Sequence, residues 1–145
     1  MPVSTPLDVA GISERYFEAW RVRDVNAIME LHSPDTQFWL HSGGSPAKGL
    51  EAVRKAFTDI FNQWPELGCE TYRVILGDSH WVLDWALTAV LADSKGIHQP
   101  VRFDCLDVVT LNEEGLVVRK DLFVDFAQAT AAASRAGVQT PTTVS

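Results

Sequence analysis

The sequence predicts one α+β domain, in which three N-terminal helices pack on the concave side of a curved antiparallel sheet and enclose a hydrophobic pocket. Apolar residues recur at helical spacing in the first part of the 145-residue chain, whereas alternate residues are apolar through most of the second part. Helices followed by a run of strands are typical of α+β proteins. Helices packed into the hollow of such a sheet leave a cone-shaped pocket, and the other face of the sheet is free for a partner subunit.

Three segments have the spacing of amphipathic helices. The first begins at Val9, and the second spans about residues 25–32 with Asp24 as its N-cap. The third follows Gly49 and is stopped by Pro65. The first and third helices have apolar stripes made of Val9, Ile12, Tyr16, Ala19 and Trp20, and of Val53, Ala56, Phe57, Ile60, Phe61 and Trp64.

The remaining segments are predicted to be strands, turns and a final helix. The Gly-rich run 42–46 predicts a loop, and Gly115 closes a hairpin turn. A short helix is expected over 127–136. We expect residues 1–137 to form the single domain and residues 138–145 to be a loose C-terminal tail. The predicted strands cover 36–41, 70–76, 81–91, 101–111 and 116–126.

Composition narrows the partners and cofactors that we expect. The formal net charge of −7 argues against nucleic acid and against anionic membrane surfaces. The two cysteines, Cys69 and Cys105, are too few for a disulfide framework and lack metal-ligand spacing. The sequence contains no Gly-rich phosphate loop that would indicate a bound nucleotide, and no His/Cys cluster that would indicate a metal. We therefore expect no cofactor and no metal. No secretion signal and no stretch of membrane-spanning length are visible, which predicts a soluble cytoplasmic protein.

The strongest indication of chemistry is an aspartate on an otherwise apolar strand face. In the segment 101–111, Asp107 shares its face with Val101, Phe103, Cys105, Val109 and Leu111. Burial there favours the protonated carboxyl. A neutral acid inside an apolar pocket can donate a hydrogen bond to a developing negative charge. The alternative is a buried aspartate that accepts from backbone amides or pairs with an arginine.

Several loose motifs occur in the order found in the nuclear transport factor 2-like superfamily of cone-shaped α+β barrels, which the chain resembles over residues 9–126. That superfamily includes ketosteroid isomerase, SnoaL-type polyketide cyclases, limonene epoxide hydrolase and scytalone dehydratase. Its members share a fold and differ in activity. The motifs are Arg15-Tyr16-Phe17, Asp24-Val25-x-Ala27-Ile28, Asp35-Thr36, Gly49, and Asp107 with Gly115.

The run 99–108 resembles ketosteroid isomerase without a gap. This resemblance implies that Asp107 and Tyr16 correspond to the two oxyanion donors of that family. The family's general base falls on Leu40, and leucine cannot move a proton. Ketosteroid isomerase activity would therefore need another base.

Three residues are candidates for the missing base. His41 adjoins the family position and titrates in a useful range, although a neighbour on a regular strand faces the other way. Asp121 lies on the closing strand, where SnoaL-type cyclases carry an acid/base aspartate, but only a bulge would turn it inward. Asp84 and Asp121 also lie near the aspartates of limonene epoxide hydrolase, whose arginine falls on Val82.

Aromatic and aliphatic side chains are expected to line the pocket, although those on the helical stripes also suit plain core packing. The face that carries Trp81 and Trp85 could be core or a dimer surface. The predicted substrate-binding residues are Trp20, Phe38, Leu40, Phe57, Phe61, Phe103, Cys105 and Leu122.

These features favour a cofactor-independent acid/base enzyme, an isomerase, cyclase or dehydratase, that acts on a hydrophobic carbonyl compound such as a polyketide or a steroid-like molecule. The alternative is a non-catalytic module of the same fold that binds a small molecule or a protein. An epoxide hydrolase is the weaker alternative. We expect a homodimer, because an apolar outer sheet face needs cover.

Overall fold

The computed structural model describes residues 5–137, so the predicted tail at 138–145 lies outside the described part. No helix among the described residues has the length and apolar content needed to cross a bilayer. The elements are α1 (Val9–Arg21), α2 (Val25–Glu30), β1 (His32–Leu40), β2 (Ala47–Lys48), α3 (Leu50–Gln63), β3 (Gly68–Leu76), β4 (His80–Ala92), β5 (His98–Leu111), β6 (Val117–Val124) and α4 (Phe126–Arg135).

The six strands form one curled, open sheet in the order β2-β1-β6-β5-β4-β3, which confirms the α+β class and the cone-shaped arrangement. The sheet is mixed, because β1 pairs parallel with β6 while the other neighbours are antiparallel. A parallel neighbour requires a crossover connection, and α3 together with four strands provides it here. The sequence predicted an antiparallel sheet, and the pairing of β1 with β6 departs from that prediction.

The largest difference from the expected boundaries lies between α2 and β1. Helix α2 ends at Glu30 and β1 already begins at His32, four residues before the predicted strand. The segment after the Gly-rich loop adds a short edge strand, β2, that pairs with β1. Helix ends and strand starts are the least certain boundaries in a sequence, because local preference changes over one or two residues.

The inner face of the sheet carries the core. Along β4 and β5 alternate side chains are buried, as the alternation predicts. Trp81 is fully buried beneath α1, with its ring 5.5 Å from that of Tyr16. Trp85 shares this inner face. The face of Trp81 and Trp85, which the sequence allowed to be either core or a dimer surface, therefore forms the core and part of the cavity wall.

The outer face of the sheet carries an apolar patch beside charged side chains. Val82 lies opposite Val108, and Leu106 lies opposite Phe123, whose surface is 42% exposed. The homodimer expected from the sequence stays a prediction, and this face is the surface that a second copy would cover.

Light scattering of the purified chain should therefore give twice the mass of one 145-residue chain. Phe123→Asp, on the outer face, should lower that mass to a single chain, because a charge in the interface would be left unpaired. Ile97→Asp, in the turn between β4 and β5, serves as the exposed control. A wild-type protein that scatters as a single chain at micromolar concentration contradicts the prediction.

Candidate active site

A cavity of about 320 Å³ lies between the inner face of the sheet and helices α1 and α3. Its walls are mostly apolar, which suits a hydrophobic small molecule. Phe57 and Cys105 are buried outside its wall, and Phe61 packs on Trp20 instead. The predicted binding residues that do line it are Trp20, Phe38, Leu40, Phe103 and Leu122.

Asp107 and Lys120 face each other in the wall of this cavity. The Lys120 Nζ lies 3.5 Å from the Asp107 Oδ2, and the side chains of the two residues are 7% and 6% exposed. The Trp85 indole N–H donates to the Asp107 Oδ1 at 3.2 Å. The inward position that alternation predicts for Asp107 is thus what the structure shows, together with an ionic partner that the sequence analysis did not identify.

Aromatic rings surround the Lys120 ammonium group. Its Nζ lies 4.3 Å from the ring centre of Trp20, 4.9 Å from that of Tyr16 and 5.7 Å from that of Phe57. The negative face of an aromatic ring attracts a cation, and the attraction grows where water is excluded. These rings offset part of the hydration that Lys120 loses.

Burial and proximity shift the protonation equilibria of both groups. Burial raises the pKa of the Asp107 carboxyl, although the Lys120 charge opposes this change. Burial disfavours the Lys120 ammonium, but its interactions with Tyr16 and Asp107 outweigh that effect and raise the pKa of Lys120. At neutral pH Lys120 is therefore a cation, and Asp107 is a stronger base than an exposed aspartate.

Tyr16 reaches the cavity from α1 and is almost fully buried. Its hydroxyl lies 2.9 Å from the His32 Nε2, and the His32 Nδ1 lies 2.7 Å from the Thr36 Oγ1. Burial, followed by the charge on Lys120, lowers the pKa of His32 to about 3. Burial also raises the pKa of the Tyr16 phenol, so both groups are neutral at pH 7.

His41 and Asp121 lie together on the outer face of the sheet. The His41 Nε2 is 2.7 Å from the Asp121 Oδ1, and the imidazole is stacked between the rings of Trp39 and Phe123. Arg119 donates two hydrogen bonds to the Asp121 carboxylate. No bulge interrupts β6 from 119 to 124, so alternation keeps Asp121 away from the cavity.

Asp84 also lies on the outer face, where Arg73 on the neighbouring strand β3 donates to its carboxylate at 3.0 Å. None of the three candidate bases thus lines the cavity, whereas Leu40 does. Among the residues from 5 to 137, Asp107 is the only carboxylate in the cavity wall. The same range holds no group of three or more His, Cys, Asp or Glu side chains that could bind a metal ion.

Two polar residues of this site, Lys120 and His32, were not identified from the sequence. Lys120 has the same parity along β6 as Leu122 and Val124, both of which line the cavity. The signal available was a lysine on the apolar face of β6, diagonal to the aspartate on the apolar face of β5.

Comparison with known proteins agrees with this architecture. A family model of the SnoaL-like domain matches residues 13–120. No curated protein sequence matches the chain. A protein from Jannaschia sp. CCS1 assigned as a SnoaL-like polyketide cyclase is 20% identical, with 92% of this chain and 96% of that chain covered and a TM-score of 0.75.

Two further solved structures have the same fold. A protein from Shewanella putrefaciens CN-32, also assigned as a SnoaL-like polyketide cyclase, is 11% identical, with 93% of this chain and 98% of that chain covered and a TM-score of 0.76. The epoxide hydrolase/cyclase-like enzyme SalBIII, described for its role in pyran ring formation in salinomycin, is 21% identical, with 82% and 92% covered and a TM-score of 0.69.

The lowered pKa of His32 predicts a specific loss of stability in acid. A group whose folded pKa lies below its unfolded value stabilises the fold above the unfolded pKa, here 6.5, and this contribution disappears as the pH falls toward about 3. Urea unfolding should show a loss that approaches roughly 1.4 kcal/mol per pH unit within this window. His32→Gln should flatten the slope, and His98→Gln, at an exposed position, should leave it unchanged. An unaltered slope in His32→Gln contradicts the assignment.

Proposed function

The chain belongs to the SnoaL-like family, and we propose that it is a cofactor-independent acid/base enzyme that enolises a hydrophobic carbonyl compound such as a polyketide or a steroid-like molecule. The observation that carries this proposal is the buried pair of Asp107 and Lys120 in the wall of an apolar cavity. The assignment of two neighbours of the same fold as SnoaL-like polyketide cyclases supports a ring-closing reaction.

Asp107 is the general base in this proposal. It is the only carboxylate among the described residues of the cavity wall, and its raised pKa brings its basicity closer to what proton transfer at neutral pH requires. This role differs from the neutral oxyanion acid that the resemblance to ketosteroid isomerase implied. The difference follows from Lys120, which supplies the positive charge that a developing oxyanion needs.

The reaction begins when Asp107 removes a proton from the carbon next to the substrate carbonyl. The electron pair of the broken C–H bond forms a C=C bond, and the carbonyl oxygen takes the negative charge. The Lys120 ammonium and the Tyr16 hydroxyl stabilise this oxygen. Return of the proton to another carbon completes an isomerisation. Alternatively, attack of the enolate carbon on a second carbonyl closes a ring, and the new alkoxide takes the proton back from Asp107. In a dehydration, the enolate expels a β-hydroxyl, which takes the proton from Asp107 and leaves as water.

One observation favours a binding protein without turnover as the second candidate. Leu40 lines the cavity at the position where the ketosteroid isomerase resemblance places the base. The epoxide hydrolase alternative depended on Asp84 and Asp121, and both lie outside the cavity wall, so we do not propose it.

Hydrogen exchange on a model ketone tests the first step without knowledge of the natural substrate. The protein should accelerate the exchange of the α-hydrogens of 2-tetralone in D₂O, followed by proton NMR. Asp107→Asn should lower the rate by about a hundredfold or more, because the amide cannot accept the proton. Lys120→Met should cause a comparable loss, because the enolate oxygen would lose its counter-charge.

Asp84→Asn and His41→Ala are the matched controls, since both change titratable side chains on the outer face and should keep the wild-type rate. Circular dichroism and quenching of the cavity tryptophans by the ketone separate loss of the fold and loss of binding from loss of chemistry. Binding of the ketone without any acceleration in the wild type would overturn catalysis and favour the binding module.

The pH profile of the exchange follows from the two shifted groups. The rate should rise with pH through the pKa of Asp107, which lies above the ordinary 3.8, because only the carboxylate accepts a proton. It should fall only above the ordinary lysine pKa of 10.5, where Lys120 loses its charge. An acidic limb that coincides with that of an exposed aspartate, measured in the same assay, would refute the role of Asp107.

A further inference from the structure

A chain of three side chains leads from the interior of β1 to the cavity wall. The Thr36 hydroxyl lies 2.7 Å from the His32 Nδ1, and the His32 Nε2 lies 2.9 Å from the Tyr16 hydroxyl. Thr36 has no exposed surface, whereas Tyr16 lines the cavity. The chain therefore has one closed end and one end that a ligand can reach.

A count of hydrogens determines how this chain must be oriented. A neutral imidazole carries one N–H, so the three side chains hold three polar hydrogens between them. Only two of these hydrogens fit into the two gaps of the chain. The third must leave the chain, either at Thr36 or at Tyr16.

The surroundings of Thr36 decide between the two ends. Among the described residues the Thr36 hydroxyl contacts no acceptor other than His32, so a hydrogen directed elsewhere would be buried without a partner. At the other end Tyr16 lines a cavity that water or a ligand can fill. The unmatched hydrogen costs far less there, because a donor in the cavity can be satisfied.

We propose that Thr36 and His32 are positioning residues that aim the hydroxyl hydrogen of Tyr16 into the cavity. Thr36 donates to the His32 Nδ1, and the His32 Nε2–H donates to the Tyr16 oxygen. The Tyr16 O–H is then free for an acceptor oxygen of the bound molecule. A hydroxyl that accepts one hydrogen bond donates a stronger one. The part of this inference that concerns catalysis rests on the proposed function.

The Lys120 ammonium strengthens this arrangement. It lies 4.9 Å from the Tyr16 ring centre, and its charge disfavours a second proton on His32. The ammonium can donate to the Tyr16 oxygen and cannot accept from it. The molecule that this end of the cavity recognises therefore carries an acceptor oxygen, as a ketone or an enolate does.

Nitrogen NMR of histidine-labelled protein tests the orientation directly. The chain has four histidines, and His32→Gln assigns the His32 signals by their loss. We expect a protonated Nε2 and an unprotonated Nδ1 in the wild type. In Thr36→Val the Nδ1 loses its donor, so the signals should move toward a mixture of both tautomers, and Thr36→Ser should restore the wild-type spectrum. A protonated Nδ1 in the wild type would overturn the proposal.

The exchange assay tests the catalytic consequence. Thr36→Val should slow the exchange of 2-tetralone about tenfold, less than the loss of about a hundredfold expected when Tyr16→Phe removes the donor itself. Thr36→Ser should restore the rate. Within a Tyr16→Phe background, Thr36→Val should have no further effect. An equal additional loss there would show that Thr36 acts independently of Tyr16 and overturn the positioning role. If the wild type shows no exchange, the proposed function fails, while the tautomer still decides the orientation.

Discussion

The burial of two opposite charges, on Asp107 and Lys120, is the constraint on which the rest of the site depends. Each charge loses several kcal/mol of hydration on entering the interior, and their attraction compensates only when both are held in place. The indole N–H of Trp85 and the ring of Trp20 supply further compensation on either side of the pair. The position of α1 on the sheet is therefore coupled to the charge state of the cavity.

The same constraint explains the division between the two faces of the sheet. On the inner face the charges are few and shielded by aromatic rings. On the outer face Asp84 and Asp121 are paired with arginines that reach solvent. An aspartate inside the cavity and an aspartate on a neighbouring strand thus have different surroundings. Which face of the sheet each one occupies depends only on whether its position along the strand is odd or even.

Much of this arrangement follows from the alternation of side chains along the strands. The regular pairing of β5 with β4 and β6 places Asp107 inside and Asp121 outside, as alternation predicts. His41 lies outside as well, because its ring contacts Asp121 and Phe123. The sequence did not predict Lys120 as a site residue, because lysine side chains are almost always exposed. His32 was not predicted to lie on a strand, because α2 ends two residues earlier than its apolar pattern suggests. The contact between Tyr16 and His32 is tertiary, so no local pattern encodes it.

The parallel pairing of β1 with β6 has a consequence for folding during synthesis. Tyr16 and His32 leave the ribosome early, whereas Lys120 belongs to the last strand of the sheet. The newly made chain must hold Asp107 without its counter-charge until β6 inserts between β1 and β5. Contacts so distant along the chain make folding slow, because the entropy of a long loop is lost before the contact forms. The site is therefore completed only when the whole domain is, and a nascent chain that lacks β6 has neither the cavity nor its charge pair.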